Sequence, residues 1–395
     1  MKKEDLLGLF VYFILLALAV VFGFTVLQTH ANDSFILSHS GNFAYMGFML
    51  GAIILGLVVN AALYEFAHTI GARIGGYKIS CVNVLGLAFE KDEEGKTKVG
   101  FKSFEGLTGE TRIYPRDDLT KKDGTPKEAS PYGYLWFGTL FIVVEMIGVM
   151  VAFTLMSNDV TSLLGDFAFF ILTMGMIGVL ILIYNILPFK LDTPTDGYKL
   201  TLVSNPKNKV AFNELLRVQR AVEEGKEVEI KTFTEITNYT ANLNLNKVYQ
   251  LLDKRDFAKA EPLLDMIIDA KDNISYSTYI RARAQKIYIN LMNKPIEEAQ
   301  KYYDEQVPMD ERRDISTDVS MPSIRTYILM SGLLDKSKSE CVIALNNVIK
   351  AYKKTPKSRQ KIEVELFNET LQKVIDAHPK WDLEGYKLSV KEEKK

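Results

Sequence analysis

Asn60-Ala61-Ala62-Leu63-Tyr64-Glu65-Phe66-Ala67-His68-Thr69-Ile70-Gly71-Ala72-Arg73-Ile74-Gly75-Gly76 brings a long apolar run to a close on a glutamate, a histidine and a pair of glycines. Glu65 and His68 are three residues apart, so on an α-helix they share a face. A zinc-hydrolase helix of the H-E-x-x-H pattern sets two imidazoles at i and i+4 on one metal, and the glutamate beside the first acts as general base for the metal-bound water. Here the glutamate and the second histidine are in position, and Tyr64 stands where the first histidine belongs.

The run that ends in this motif is one of four. Leu6 to Gln28 is 23 residues without a charge, enough to cross a ~30 Å hydrocarbon core. It is too long for a signal-peptide core, and no clear small-residue cleavage site follows. Phe43 to Tyr64 is a second uncharged run, Tyr132 to Ser157 a third interrupted only by Glu145, and Phe167 to Phe189 a fourth. The pattern predicts transmembrane helices over about 6–28, 43–74, 132–157 and 167–189. The connections 29–42 and 158–166 hold no Lys or Arg, whereas 73–127 and the chain after Lys190 are rich in both. The positive-inside rule then puts both termini in the cytosol. Glu65 and His68 fall toward the cytosolic end of the second helix, and Asp192 and Asp196 lie just past the cytosolic end of the fourth, so the two groups can meet.

A membrane helix running through E-F-A-H-x-x-x-A-R into Gly-Gly-Tyr-Lys, followed in the last apolar helix by Asn185-Ile186-Leu187-Pro188-Phe189-Lys190-Leu191-Asp192-Thr193-Pro194-Thr195-Asp196-Gly197-Tyr198, resembles the site-2 protease family of intramembrane zinc metalloproteases. The resemblance covers roughly residues 43 to 200. It implies a zinc centre near the cytosolic membrane face, with Glu65 as the catalytic base, His68 and an aspartate as metal ligands, Tyr64 at the lost ligand position, and Asn185 near the catalytic water or substrate. The family spacing puts Leu-Asp-Gly five residues after the proline. Asp196-Gly197 keeps the Asp-Gly eight residues on, and its glycine permits the close turn that returns the carboxylate to the helix end. Leu191-Asp192 keeps the Leu-Asp four residues on, which makes Asp192 the second choice.

Glu145 and Asn60 are further polar residues in the apolar runs. Glu145 sits where an ionised carboxylate costs on the order of 2.5–3.5 kcal/mol, so it faces protein, either as a proton or metal partner of the site or as a protonated acid bonded to a neighbouring helix. Asn60 reads as a helix–helix hydrogen bond. Between the second and third helices, Lys78 to Phe89 and Thr97 to Phe104 are rich in β-branched and aromatic residues and flank Glu94-Gly95, which predicts a β-hairpin within a cytosolic insert 77–130. Residues 115 to 131 read as a polar loop. In the family a sheet at this position lies along the membrane face and can hold an extended substrate strand.

The formal net charge of −1 over 395 residues gives no reason to expect a nucleic-acid partner. Cys81 and Cys341 are the only cysteines, too far apart to imply a disulfide framework. Hydrophobic runs are packed into the first half, so the chain divides into a membrane domain, 1–204, and a charged, helical domain, 205–395. In the latter, Phe257, Ala260, Leu263, Leu264, Ile267 and Ile268 recur at helical spacing, and Asp256 to Glu261 resembles the second helix of a tetratricopeptide-type hairpin. Similar stretches follow at Pro295 to Tyr303 and Ser339 to Tyr352, and the tail Lys391 to Lys395 is a solvated end. The fold expected is mainly α: a polytopic bundle of about four transmembrane helices, a small β insert, and a soluble stack of helical hairpins. Such a stack is a cytosolic partner-binding module or a cap on the membrane domain.

Ligand counting decides what the site can do. A catalytic zinc needs three protein ligands and a water, and Tyr64 could replace the missing imidazole only as a phenolate, against an unperturbed pKa of about 10. His30 and His39 are placed outside the cytosol and His378 in the soluble domain, which leaves Cys81 as the nearby soft donor. Three readings follow: a metal-free pseudoprotease that binds or regulates transmembrane clients, an active zinc peptidase cleaving a transmembrane substrate with Tyr64 or Cys81 in its shell, or a transporter or channel subunit. The resemblance also implies a bacterial cell membrane.

Overall fold

The computed structural model describes residues 3–91, 96–104, 106–120, 125, 127–188 and 194–389. Asp192, the Glu94-Gly95 turn and the tail from 391 to 395 lie outside them. The protein is mainly helical, and it separates into two compact units, Met1–Lys209 and Val210–Lys395.

The first unit begins with α1 (Lys3–Ala31) and α2 (Phe35–Gly75), and Ser34 caps α2 by accepting the Leu37 N–H. Helical geometry breaks once inside α2, at Gly41 with φ 79°, a conformation that favours glycine. The apolar helix proper therefore starts beyond it. Next come α3 (Pro131–Met156) and α4 (Leu163–Ile186). Pro131 opens α3, where its missing N–H costs nothing, and Ser162 caps α4.

Among the described residues, α2, α3 and α4 are long and apolar enough to cross a membrane. The fourth expected span falls in α1, whose described apolar stretch, Phe13–Thr25, is shorter than a span. Helix α2 packs on both α3 and α4, and small residues set the crossings. A Cβ on Gly71 would lie 2.2 Å from the Gly133 carbonyl oxygen, and one on Gly56 would lie 2.9 Å from the Met174 Cα. Backbone approach this close is what glycine allows between membrane helices.

Gly76, at φ 87°, ends α2 with its N–H on the Ala72 and Arg73 carbonyls. The chain then enters β1 (Tyr77–Val84), β2 (Leu87–Lys91), β3 (Thr97–Phe101) and β4 (Gly109–Pro115), an antiparallel sheet in the order β3-β2-β1-β4. The insert is thus a four-stranded sheet rather than one hairpin. What reads as a single strand, Lys78 to Phe89, reverses at Leu85 and Gly86, both at positive φ, the two-residue turn whose twist suits a hairpin. Residues 109–115 form the strand that covers the other side of β1. A short helix, α5 (Asp196–Val203), follows α4 in the first unit, its N-cap Thr195 accepting from the Tyr198 N–H.

From Val210 the second unit holds the remainder of α6 (Pro206–Glu223) and α7 (Asn238–Asp253), α8 (Phe257–Asp269), α9 (Tyr276–Asn293), α10 (Ile296–Gln306), α11 (Met309–Thr317), α12 (Met321–Leu329), α13 (Lys338–Lys354) and α14 (Lys357–Ala377). Helix α8 packs on α7 and α9, and α12 packs on α9, α13 and α14. One continuous core runs through Val248, Leu264, Ile287, Ile328, Leu345 and Phe367. Cys341 is buried in that core, and Cys81 is buried in β1. Leu264 and Ile267, two of the residues whose spacing predicted a helix, are fully buried on α8.

Candidate functional site

Four elements converge at one end of the helical bundle. Helix α2 supplies Tyr64, Glu65 and His68, α5 supplies Asp196, α3 supplies the Tyr134 carbonyl, and β4 with its approach supplies Thr108 and Thr111. Gly197 makes the return of α5 possible: a Cβ there would lie 2.1 Å from the Ile186 carbonyl oxygen. The aspartate beside it is thereby held against the end of α4, in the first turn of α5, where the helix dipole favours an anion.

The sequence motifs meet as ligand positions should, yet they bond to one another. The Tyr64 hydroxyl donates to Asp196 Oδ2 at 2.6 Å, and His68 Nε2 lies 3.1 Å from the same oxygen. His68 Nδ1 lies 2.6 Å from the Tyr134 carbonyl oxygen. Both ring nitrogens face acceptors, so a ring with hydrogen on each donates at both ends. Lys199 Nζ approaches the other oxygen, Asp196 Oδ1, at 3.4 Å. Burial pushes the Asp196 carboxyl up, but His68, Lys199 and the Tyr64 hydroxyl outweigh it and hold the group below the usual carboxylate range. The centre is buried, with Tyr64, Glu65, His68 and Asp196 each at most 5% exposed.

Glu65 is engaged on both oxygens. Thr108 Oγ1 donates to Oε1 at 2.8 Å and Thr111 Oγ1 to Oε2 at 2.7 Å. The residue expected as general base thus ties the sheet to α2. Tyr134 adds a second tie from α3, its hydroxyl donating to the Thr111 carbonyl at 3.0 Å. Asn185 is mostly buried and donates its amide to Ile181 O at 3.0 Å, a bond within its own helix rather than to Tyr64, Glu65, His68 or Asp196. Thr108, Thr111, Tyr134 and Lys199 carry no motif of their own. Only Lys199 was reachable from sequence, as the residue one turn after Asp196.

The family resemblance implies zinc, and the donors can be tested against it. A catalytic zinc takes three ligands from His, Asp, Glu or Cys. Here one imidazole nitrogen and one carboxylate converge with a phenol whose hydrogen is already committed to that carboxylate. Cys81 stands in β1 opposite Arg112 and Glu90. Among the described residues no three His, Cys, Asp or Glu side chains are grouped to hold a metal. The described residues do not fit a catalytic zinc. They make a closed, hydrogen-bonded charge cluster that fastens α2, α3, α5 and the sheet together. No protein-family model, no curated protein and no solved structure matches the chain.

Proposed function

We propose that the membrane half, 1–204, is a site-2-protease-like bundle that has given up metal chemistry and serves as a binding scaffold for transmembrane clients. The observation that carries this reading is the Tyr64 hydroxyl at 2.6 Å from Asp196 Oδ2. It occupies the place of the missing imidazole, and it consumes the carboxylate a metal would need. The engagement of both Glu65 oxygens by threonine hydroxyls supports the same reading, since a general base needs its carboxylate turned to water.

In this proposal α1 is a fourth span, both termini are cytosolic, and the domain 205–395 is a stack of helical hairpins that docks a cytosolic protein partner. Reporters fused at residues 36 and 162 then read extracytoplasmic, and those at 120 and 300 cytosolic. A cytosolic signal at 162 would detach α3 and α4 from the arrangement. The decisive experiment is metal analysis of the protein purified from membranes. The expected result is zinc far below one per chain, unchanged by His68→Ala. Stoichiometric zinc lost with His68 would overturn the scaffold reading in favour of an active peptidase with Tyr64 in its shell.

A further inference from the structure

Above the charge cluster, toward the middle of the bundle, lies a second polar group that the proposed function does not use. Asn60 on α2 is fully buried, and its amide nitrogen donates to the Gly56 carbonyl at 2.7 Å and to the Met174 carbonyl on α4 at 2.9 Å. Those two bonds fix which way the amide points. Its oxygen, Oδ1, is buried without a donor. Glu145 on α3 likewise buries Oε2 without a donor. Both oxygens face Gly178 on α4, where an added Cβ would lie 2.3 Å from Asn60 Oδ1 and 3.5 Å from Glu145 Oε2.

Two acceptor oxygens thus point into one small volume between three helices, beside Gly178, and neither receives a hydrogen from any side chain described there. Something positive or hydrogen-bearing must stand between them, because an unpaired buried acceptor is costly and two facing acceptors repel. A hydrated cation does not suit an apolar wall that supplies only two oxygens, whereas a proton needs no more than those two.

We propose that Glu145 and Asn60 form a proton-binding site in the middle of the bundle, in which the Glu145 carboxyl is a neutral acid donating its hydrogen to Asn60 Oδ1 beside Gly178. The bound proton joins α3 to α2 across α4. Its loss would set a bare carboxylate against a carbonyl oxygen and drive α3 away from α2. The consequence reaches the charge cluster, because Asn60 and Tyr64 are four apart on one face of α2, and the Tyr64 ring rests on Gly138, two turns from Glu145 on α3.

The test is infrared spectroscopy of the full-length protein in lipid nanodiscs. The expected result is a protonated-carboxyl carbonyl band that shifts in deuterium oxide and vanishes in Glu145→Gln. That variant should melt as the parent does, since its amide supplies the same hydrogen. In Asn60→Leu the band should move to the position of an acid without a hydrogen bond, a readout that leaves Glu145 itself intact. Loss of an ionised-carboxylate band in Glu145→Gln, an unmoved band in Asn60→Leu, or failure of Glu145→Gln to assemble would each overturn the proposal. None of these outcomes depends on whether zinc binds at His68.

Discussion

Replacing Tyr64 by histidine tests the charge cluster most directly, because the structure already holds the rest of a metal site nearly in place. His68 Nε2 and Asp196 Oδ2 are 3.1 Å apart. Two ligands at ~2.05 Å from a tetrahedral zinc stand about 3.3 Å apart, so the pair needs to open by only a few tenths of an ångström. Without metal, Tyr64→His removes a charge-assisted hydrogen bond of 2.6 Å to Asp196, a loss of about 1.5–3 kcal/mol. With zinc at a hundred times its dissociation constant, linkage returns about 2.7 kcal/mol. The two effects are of one size, so the variant should melt below the parent in chelator and recover most of the difference in zinc. Tyr64→Phe loses the same bond and gains no donor, so it should stay low in both. The assay is thermal unfolding in detergent with and without zinc, beside metal analysis of each protein. Equal zinc shifts in parent and Tyr64→His, or a Tyr64→His protein that neither takes up zinc nor responds to it, would refute the reasoning.

Gly71→Val places a branched side chain against the Gly133 carbonyl, 2.2 Å from where its Cβ must sit, and should separate α2 from α3; the readout is loss of folded protein in detergent and cleavage at newly exposed sites by added protease. In the second unit the almost fully buried Glu363 lies 3.0 Å from the buried Arg325 guanidinium as an ion pair without a hydrogen bond, and its other oxygen accepts from Arg359 at 3.2 Å, so Glu363→Ala should cost about 3–5 kcal/mol by stripping the buried guanidinium of its counter-charge. An unfolding free energy from urea melts that falls by less than a fifth of that cost would contradict the pairing. Burial lowers the His30 imidazole below its ordinary 6.5, with Asp166 opposing. Protons then bind the unfolded chain more readily, so stability holds above pH 6.5 and declines as pH falls through that value. His30→Gln should flatten this part of the pH profile, and an unchanged profile would remove His30 as its source.

What could be read from sequence, and what could not, divides along physical lines. Glu65, His68 and Asp196 were legible because each depends on one local rule: a three-residue helical spacing for the first two, and for Asp196 a glycine that lets the chain turn back. Asp196 also had to lie at the same end of the bundle as His68, which the distribution of uncharged connections implied and which their 3.1 Å contact requires. The residues that complete the cluster obey no local rule. Thr108 and Thr111 reach Glu65 only because β4 lies beside β1, and β1 itself ends in a turn to β2 in which Leu85 adopts φ 48°. A leucine there carries no turn signal, which is why one strand was read where two exist. Tyr134 contributes a backbone carbonyl, which no side-chain pattern can announce. Glu145 shows the same limit from the other direction. Its charge in an apolar run announced that it must face protein, but its partner depends on how α2 and α3 are rotated about their axes, and that rotation is set by glycines on facing helices. Hence the near-miss motif at Tyr64 reads as an incomplete metal site while only its sequence neighbours are considered. It reads as a complete hydrogen-bonded one once α3, α5 and β4 are packed around it.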